Sequence, residues 1–184
     1  MVYAGAKVFA QRGYDQTTMQ DLAASMGLAT GALYHYFGSK EQLLIMICDQ
    51  LTEPLLARAR ELMRTDEPPE VQLRALVRLW VANVIEHRDH MLVFQQERHA
   101  IQSGSQWREV RDSRKAFERL VESALRRAGA CGRPGFDERL VLASLLGMVN
   151  HTAQWYRPRG RLRSDQIADG YLELLTGARS AAAA

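Results

Sequence analysis

Apolar residues fall at threes and fours along almost the whole chain, and this spacing restricts the fold more than any other feature. The run Leu73, Leu76, Val77, Trp80, Val84 is typical. Such a period lines apolar side chains along one stripe of a helix, whereas a half-buried strand needs alternation. No stretch alternates convincingly, so the spacing predicts an all-α chain. Gly, Pro and capping residues divide it into about nine helices. The first ends at Gly13. The second opens at Thr17-Thr18 and ends at Gly27, and the third runs from about Thr30 to Tyr36 and stops at Gly38. Ser39 reads as the N-cap of a long fourth helix, with Gln42 as capping-box partner, continuing to about Arg64. Asp66-Glu67-Pro68-Pro69 stops the chain and restarts it. A fifth helix is expected over about 69–86, and a sixth from a break at His87-Arg88-Asp89 to about Gln102. The rest cover about 105–128, about 136–155 and, capped by Ser164, about 165–176.

Composition narrows the class. Within 184 residues, 47% are hydrophobic, enough for a real core. Two cysteines, Cys48 and Cys131, exclude a disulfide framework and a Cys-rich zinc module. No apolar run reaches the roughly 18 residues of a membrane span. Lys7, Gln11 and Arg12 interrupt any signal core at the N-terminus. The expectation is a soluble cytoplasmic protein without a membrane partner. The net charge of +3 is unevenly spread. Residues 1–50 carry −1, residues 51–100 carry −1, residues 101–150 carry +3 and residues 151–184 carry +2. The basic excess is almost all arginine, as solvated helix faces or a site for an anionic ligand would show.

The segment 17–44 reads TTMQDLAASMGLATGALYHYFGSKEQLL. Leu22, Ala23 and Met26 give the second helix one apolar face, and Ala23 is small where another helix must cross closely. Gly27 permits a left-handed turn, Leu28 follows it into the core, and Leu33 and Phe37 face inward from the third helix. Two short helices joined by a Gly-containing turn make a helix-turn-helix, whose second helix enters the DNA major groove. Its outer side offers Thr30, Gly31, Ala32, Tyr34 and His35. The small residues let the backbone approach base edges, and Tyr34 and His35 reach phosphates. Lys40 and the free amides at the start of the next helix face a further phosphate.

The stretch T-T-M-x-D-L-A-x-x-M-G-L-A-T-G-A-L-Y-H-Y-F-x-S-K-E-x-L-L resembles the signature of TetR/AcrR-family transcriptional regulators, and Ala6, Phe9, Gly13, Tyr14 and Thr17 fit that family's lead-in. The resemblance implies a three-helix DNA-binding head over residues 1–47 and a ligand-binding, dimerising body over residues 48–184. It adds Thr18 to the residues expected on DNA, and makes the partners a palindromic operator, a small-molecule effector and a second copy of the chain. The sequence departs from the family pattern at Ala29, where a polar cap is usual; Thr30 is expected to take over the cap. Family members also begin with a basic arm, whereas Met1-Val2 starts inside the first helix, so the reading is a trimmed start.

Other chemistry finds little support. His87 and His90, with Glu86, or Glu97 with His99, invite a metal, yet no third ligand is fixed and exposed or capping histidines are the plain reading. Cys48 and Cys131 have no His–Asp set around them. No phosphate-binding or nucleophile-elbow motif is present, and no cofactor, metal or catalytic residue is assigned.

A regulator of this kind needs a cavity in its body, with aromatics on the wall. The candidates are Trp80, Phe94, His151 and Trp155, with Arg98, Arg114, Arg157 and Arg159 at the rim. Taken singly, most of these read equally as core or surface. Small and apolar residues at close spacing mark a dimer face: Leu140, Ala143, Ser144, Gly147 and Met148 on the penultimate helix, and Ile167, Gly170, Tyr171 and Leu174 on the last. Packing of the same helices within one chain is the alternative. The segment from His151 to Tyr171 resembles a TetR subgroup tied to lipid, steroid or acyl-CoA catabolism. The function read from all this is a one-component repressor released from its operator by an amphipathic effector, an acyl-CoA or a lipid acid. Behind it stand a ligand- or partner-binding member that has lost DNA binding and, more distantly, a helical metal-dependent enzyme.

Overall fold

The computed structural model describes residues 1–130 and 137–177. Among them are ten α-helices and one 3-10 turn, with no strand. The helices are α1 (Val2–Arg12), α2 (Met19–Met26), α3 (Thr30–Phe37), α4 (Lys40–Leu62), α5 (Pro69–Glu86), α6 (Arg88–Gln96), α7 (Arg98–Ser103), α8 (Arg108–Arg127), α9 (Glu138–Trp155) and α10 (Ser164–Thr176), with the 3-10 turn at Ser105–Trp107. Among the described residues no helix is long and apolar enough to cross a membrane.

The expected all-α class holds, and four local expectations change. The sixth predicted helix is two, because Glu97 leaves helical geometry at φ −92° and ψ 18°. Val93 and Ile101, on either side of that break, both enter one core, and Arg111 holds the end of α7 by donating to the carbonyls of Ile101 and Gly104 at 3.0 and 2.6 Å. The front of the seventh predicted helix is the 3-10 turn. Thr30 does not cap α3: Ala29 holds the N-cap position and offers no side-chain acceptor. Ser164 is the first residue of α10 rather than its cap, and Gln166 reaches back to the Arg163 amide at 3.0 Å. Cys131, the loop around Pro134 and the C-terminal alanines lie outside the described residues.

The chain packs as two compact units. The first comprises Met1–Pro54 and His87–Arg114. Its core joins Phe9, Leu22, Leu33, Phe37, Leu43, Leu44 and Ile47 to Val93, Ile101, Trp107 and Val110. It thus takes in more than the segment 1–47. The seam between α1 and α6 holds His90, which is 1% exposed rather than a surface histidine. The Tyr3 ring meets His90 edge-on at 4.6 Å, and its hydroxyl pairs with His87 Nδ1 at 3.0 Å.

The second unit comprises Leu55–Glu86 and the chain from Lys115 onward. Leu76, Val77, Trp80, Val81, Val121, Leu125, Val141, Leu145, Val149 and Ala168 are buried there. Trp80 packs edge-to-face on Phe117 at 5.1 Å. α10 lies against α5 and α9. Arg78 grips Asp169 through two hydrogen bonds of 2.9 and 2.5 Å, and Arg74 stands 3.5 Å from the same carboxylate.

Burial, and then the neighbouring His87, lower the His90 pKa from 6.5 to about 4. Between those two values the unfolded chain binds a proton that the folded chain excludes, so stability is full above about pH 6.5 and falls as the pH drops toward 4. Urea unfolding followed across this range should show that loss. His90→Leu, which cannot take up the proton, should flatten it.

Candidate functional site

The geometry of the candidate DNA-binding surface begins at the ends of α2 and α3. Thr18 caps α2: its hydroxyl accepts from the Asp21 amide at 3.1 Å, and the Asp21 carboxylate accepts from the Thr18 amide at 2.9 Å. Hydrogen bonds from Thr18 hold the Asp21 carboxyl below the usual carboxylate range. Gly27 then turns the chain at φ 66°, its amide donating to the carbonyls of Ala23 and Ala24. Because Gly tolerates this left-handed geometry at no steric cost, α2 can stop sharply at Met26 and α3 can start at Thr30 after three intervening residues. Leu28 follows the turn and packs against the core.

α3 is fixed from beneath and open above. Leu33 and Phe37 are 0% and 4% exposed and anchor it. Gly31, Tyr34, His35 and Tyr36 are exposed, Tyr34 and Tyr36 by 51% and 57%, while Thr30 and Ala32 are half-buried. Tyr36, which was not among the residues expected on DNA, is exposed beside the buried Phe37. The helix carries no acid. Its first amides meet no side-chain cap. A helix N-terminus bare of a side-chain cap, with exposed phenols and an imidazole in the second half of the same helix, offers donors to phosphate and base edges.

Lys40 is not a loose surface charge. Its Nζ donates to the Tyr14 carbonyl at 2.9 Å and stands 4.2 Å from the Tyr14 ring centroid. Ser39 caps α4 by accepting from the Gln42 amide at 3.0 Å. Gln106 donates to Glu41 at 2.6 Å, tying the 3-10 turn to the start of α4.

The residues expected around an effector are spread over both units. Phe94, Arg98 and Arg114 belong to the first, and Phe94 packs against its core. Trp80, His151, Trp155, Arg157 and Arg159 belong to the second. Trp80 is core there at 2% exposure, whereas His151, Trp155, Arg157 and Arg159 are exposed. The second unit has an open cleft of about 580 Å³ lined by Arg58, Glu61, Leu62, Thr65, Arg78, Leu79, Ala82, Ser164 and Asp165, none of which was expected around an effector.

Of the expected dimer-face residues, Leu140 and Leu174 stand 59% and 76% exposed, and Ala143 and Gly147 are also exposed. Ser144, Met148 and Gly170 are half-buried. Ile167 differs: at 4% exposure it is part of the unit's own core. Tyr171 is engaged within the chain, its hydroxyl 2.9 Å from Thr152 Oγ1 and also hydrogen-bonded to the Trp155 side chain. The reason is register: both point toward α5 and α9 rather than away from them.

Described residues that form helices and no strand, with a short uncapped, acid-free helix set after a left-handed glycine turn, define the class of helix-turn-helix transcriptional regulators. Comparison with known proteins makes the assignment specific. The chain belongs to the tetR family of bacterial regulatory proteins: residues 2–47 match that family's N-terminal domain, and residues 66–178 match the tetracyclin repressor-like C-terminal domain. The HTH-type transcriptional repressor KstR2 of Mycolicibacterium smegmatis is 30% identical over 182 residues, spanning 96% of this chain and 87% of that protein. The solved structure of the ketosteroid transcriptional regulator KstR2 of Mycobacterium tuberculosis superposes with a TM-score of 0.86 at 27% identity, covering 96% and 91% of the two chains. AibR, solved in complex with isovaleryl coenzyme A and operator DNA, gives a TM-score of 0.76 at 29% identity and 95% coverage of each chain.

Thr18 was expected to face DNA, and its hydroxyl already caps α2. Thr18→Ala should therefore cost about 1 kcal/mol of stability in thermal or urea unfolding, while Thr18→Ser should retain most of the cap.

Proposed function

We propose that this regulator is a repressor that binds a palindromic operator as a homodimer and is released by an amphipathic anion, an acyl-CoA thioester or a related lipid acid. The observation that carries the DNA half is the open outer face of α3; in this reading Thr30, Gly31 and Ala32 meet base edges and Tyr34, His35 and Tyr36 meet the backbone. Lys40 adds a phosphate contact with the two ammonium protons that Tyr14 does not engage.

One head reads one half-site. Two recognition helices must lie roughly 34 Å apart, or a multiple of that, to enter successive major grooves on one face of the duplex. The exposed face of α9 and α10 supports the pairing. A Cβ added at Gly147 or Gly170 would meet nothing within 4 Å in a single chain. Glycine in a helix interior costs about 1 kcal/mol relative to alanine, and packing within one chain gives no return for it at either position. A second copy crossing closely over Gly147, with Leu140 and Leu174 beside it, does. Gly147→Leu should therefore leave the single chain folded, yield monomers in light scattering at micromolar concentration, and weaken operator binding.

The effector class is supported by the likeness to AibR over nearly the full length of both chains. The cleft in the second unit has a volume within the range of ligand sites, and its lining combines Leu62, Leu79 and Ala82 with Arg58, with Arg78, which is paired to Asp169, and with the carboxylates of Glu61 and Asp165. Arg157 and Arg159, exposed on the turn after α9, are further rim groups for phosphates or a carboxylate. To release DNA the ligand must bind the DNA-incompetent arrangement more tightly than the competent one. The test is a panel of CoA thioesters, free acids and neutral or cationic drugs titrated into the protein–operator complex. Release by CoA thioesters or acids is expected. Release by neutral or cationic compounds alone would remove the anionic-effector reading and leave the repressor reading standing.

A further inference from the structure

Gly104, just ahead of the 3-10 turn, has φ −92° and ψ 148°, a conformation open to any residue, so its backbone does not account for the glycine. Its surroundings do. A Cβ added there would lie 2.5 Å from Oε1 of Gln106 and 2.6 Å from its Cδ and Nε2. The Gln106 carboxamide is thus folded back across the bare α-carbon, in the space a Cβ would take. From that seat its Nε2 donates to Glu41 Oε1 at 2.6 Å, joining residues 65 positions apart. A carboxylate only accepts, so the bond is charge-assisted. The platform beneath is fixed as well. Trp107 is 1% exposed in the head core, and Arg111 donates to the carbonyls of Ile101 and Gly104. All of these residues belong to the first unit.

Glu41 is the acid in the first turn of α4, next to Lys40. The helix dipole favours a carboxylate there in the free protein, but an operator phosphate arriving at the same helix end is repelled by it. A Glu41 side chain free to rotate would also compete with that phosphate for the first amides of α4 and for the neighbouring ammonium. We propose that Gln106 is a positioning residue for operator binding: seated on Gly104, it holds the Glu41 carboxylate to one side, so that Lys40 and the first amides of α4 stay open to an operator phosphate. This rests on the reading that the start of α4 touches the operator. Gln106 and Glu41 are both exposed, and an exposed pair of this kind adds little to folding stability. Its effect therefore falls on DNA binding rather than on the fold.

Gln106→Ala and Gly104→Ala leave the net charge unchanged, so a count of charges predicts no change in binding. If Gln106 restrains Glu41, each variant weakens operator binding about three- to ten-fold and lowers the salt slope by up to about one, the contribution of a single phosphate contact. The thermal midpoint of each should stay at the parent value. Gly104→Ala keeps the carboxamide and only displaces it; the atoms it moves are the free end of a flexible side chain, so this variant reads the role even if Gln106→Ala disturbs the turn. Glu41→Gln removes the charge that needs restraint and should bind at least as tightly as the parent. In that background Gln106→Ala should cost nothing further. Unchanged binding by both Gln106→Ala and Gly104→Ala would overturn the positioning role alone. So would a Gln106→Ala loss of the same size in the Glu41→Gln background, as a direct contact of Gln106 with DNA would give. Lys40→Ala with unchanged affinity and salt slope would overturn the phosphate contact at the start of α4, and the positioning role with it.

Discussion

Everything the head does depends on one buried seam, where Leu33 and Phe37 of α3 sink into a core built from α1, α2 and α4 and completed by Val93, Ile101, Trp107 and Val110 from much later in the chain. An eight-residue helix is far below the length at which a helix is stable by itself in water. α3 persists because its inner face is locked, which leaves its outer face free to carry whatever residues recognition needs. Recognition helices must be rigid in position and permissive in sequence, and burial on one side alone satisfies both demands.

The seam also explains which parts of the structure were legible in the sequence. The helix-turn-helix rests on local rules: Thr18 with Asp21 at the start of α2, the left-handed Gly27, and inward Leu33 and Phe37. Each of these is decided within a few residues, so the pattern could be read directly. The fold class and most helix ends were legible for the same reason. What escaped reading was long-range. The spacing of apolar residues over 88–103 is continuous and gives no sign of the break at Glu97. Trp107 looks like any aromatic of the C-terminal region, but it belongs to the head because of contacts more than 60 positions away in sequence.

The candidate site shows the same division. The exposure of Tyr34 and His35 was legible, because helical spacing places them outward. The attachment of Lys40 to Tyr14 was not, because 26 residues separate them. On the body, Gly147 and Leu140 lie on an exposed face of α9, whereas Ile167, grouped with them by its spacing, is buried. α10 is approached from both α5 and α9, and its apolar stripe is correspondingly wide. The arginines illustrate a further limit: Arg74 and Arg78 draw on one aspartate of α10, a pairing that composition cannot reveal.

Cys48 is fully buried in the head core, and burial, with Asp49 and Glu97 adding to it, raises its thiol pKa. Thiol reagents act on an accessible thiolate, and this position denies them both access and charge. Cys131 is the other cysteine of the chain. With that one replaced by serine, the rate at which a thiol dye labels the protein becomes a clock for the opening of the head. The probe is the chain's own Cys48, so no reporter has to be introduced into the head. It would tell how often the seam beneath α3 parts, and whether bound DNA holds it shut.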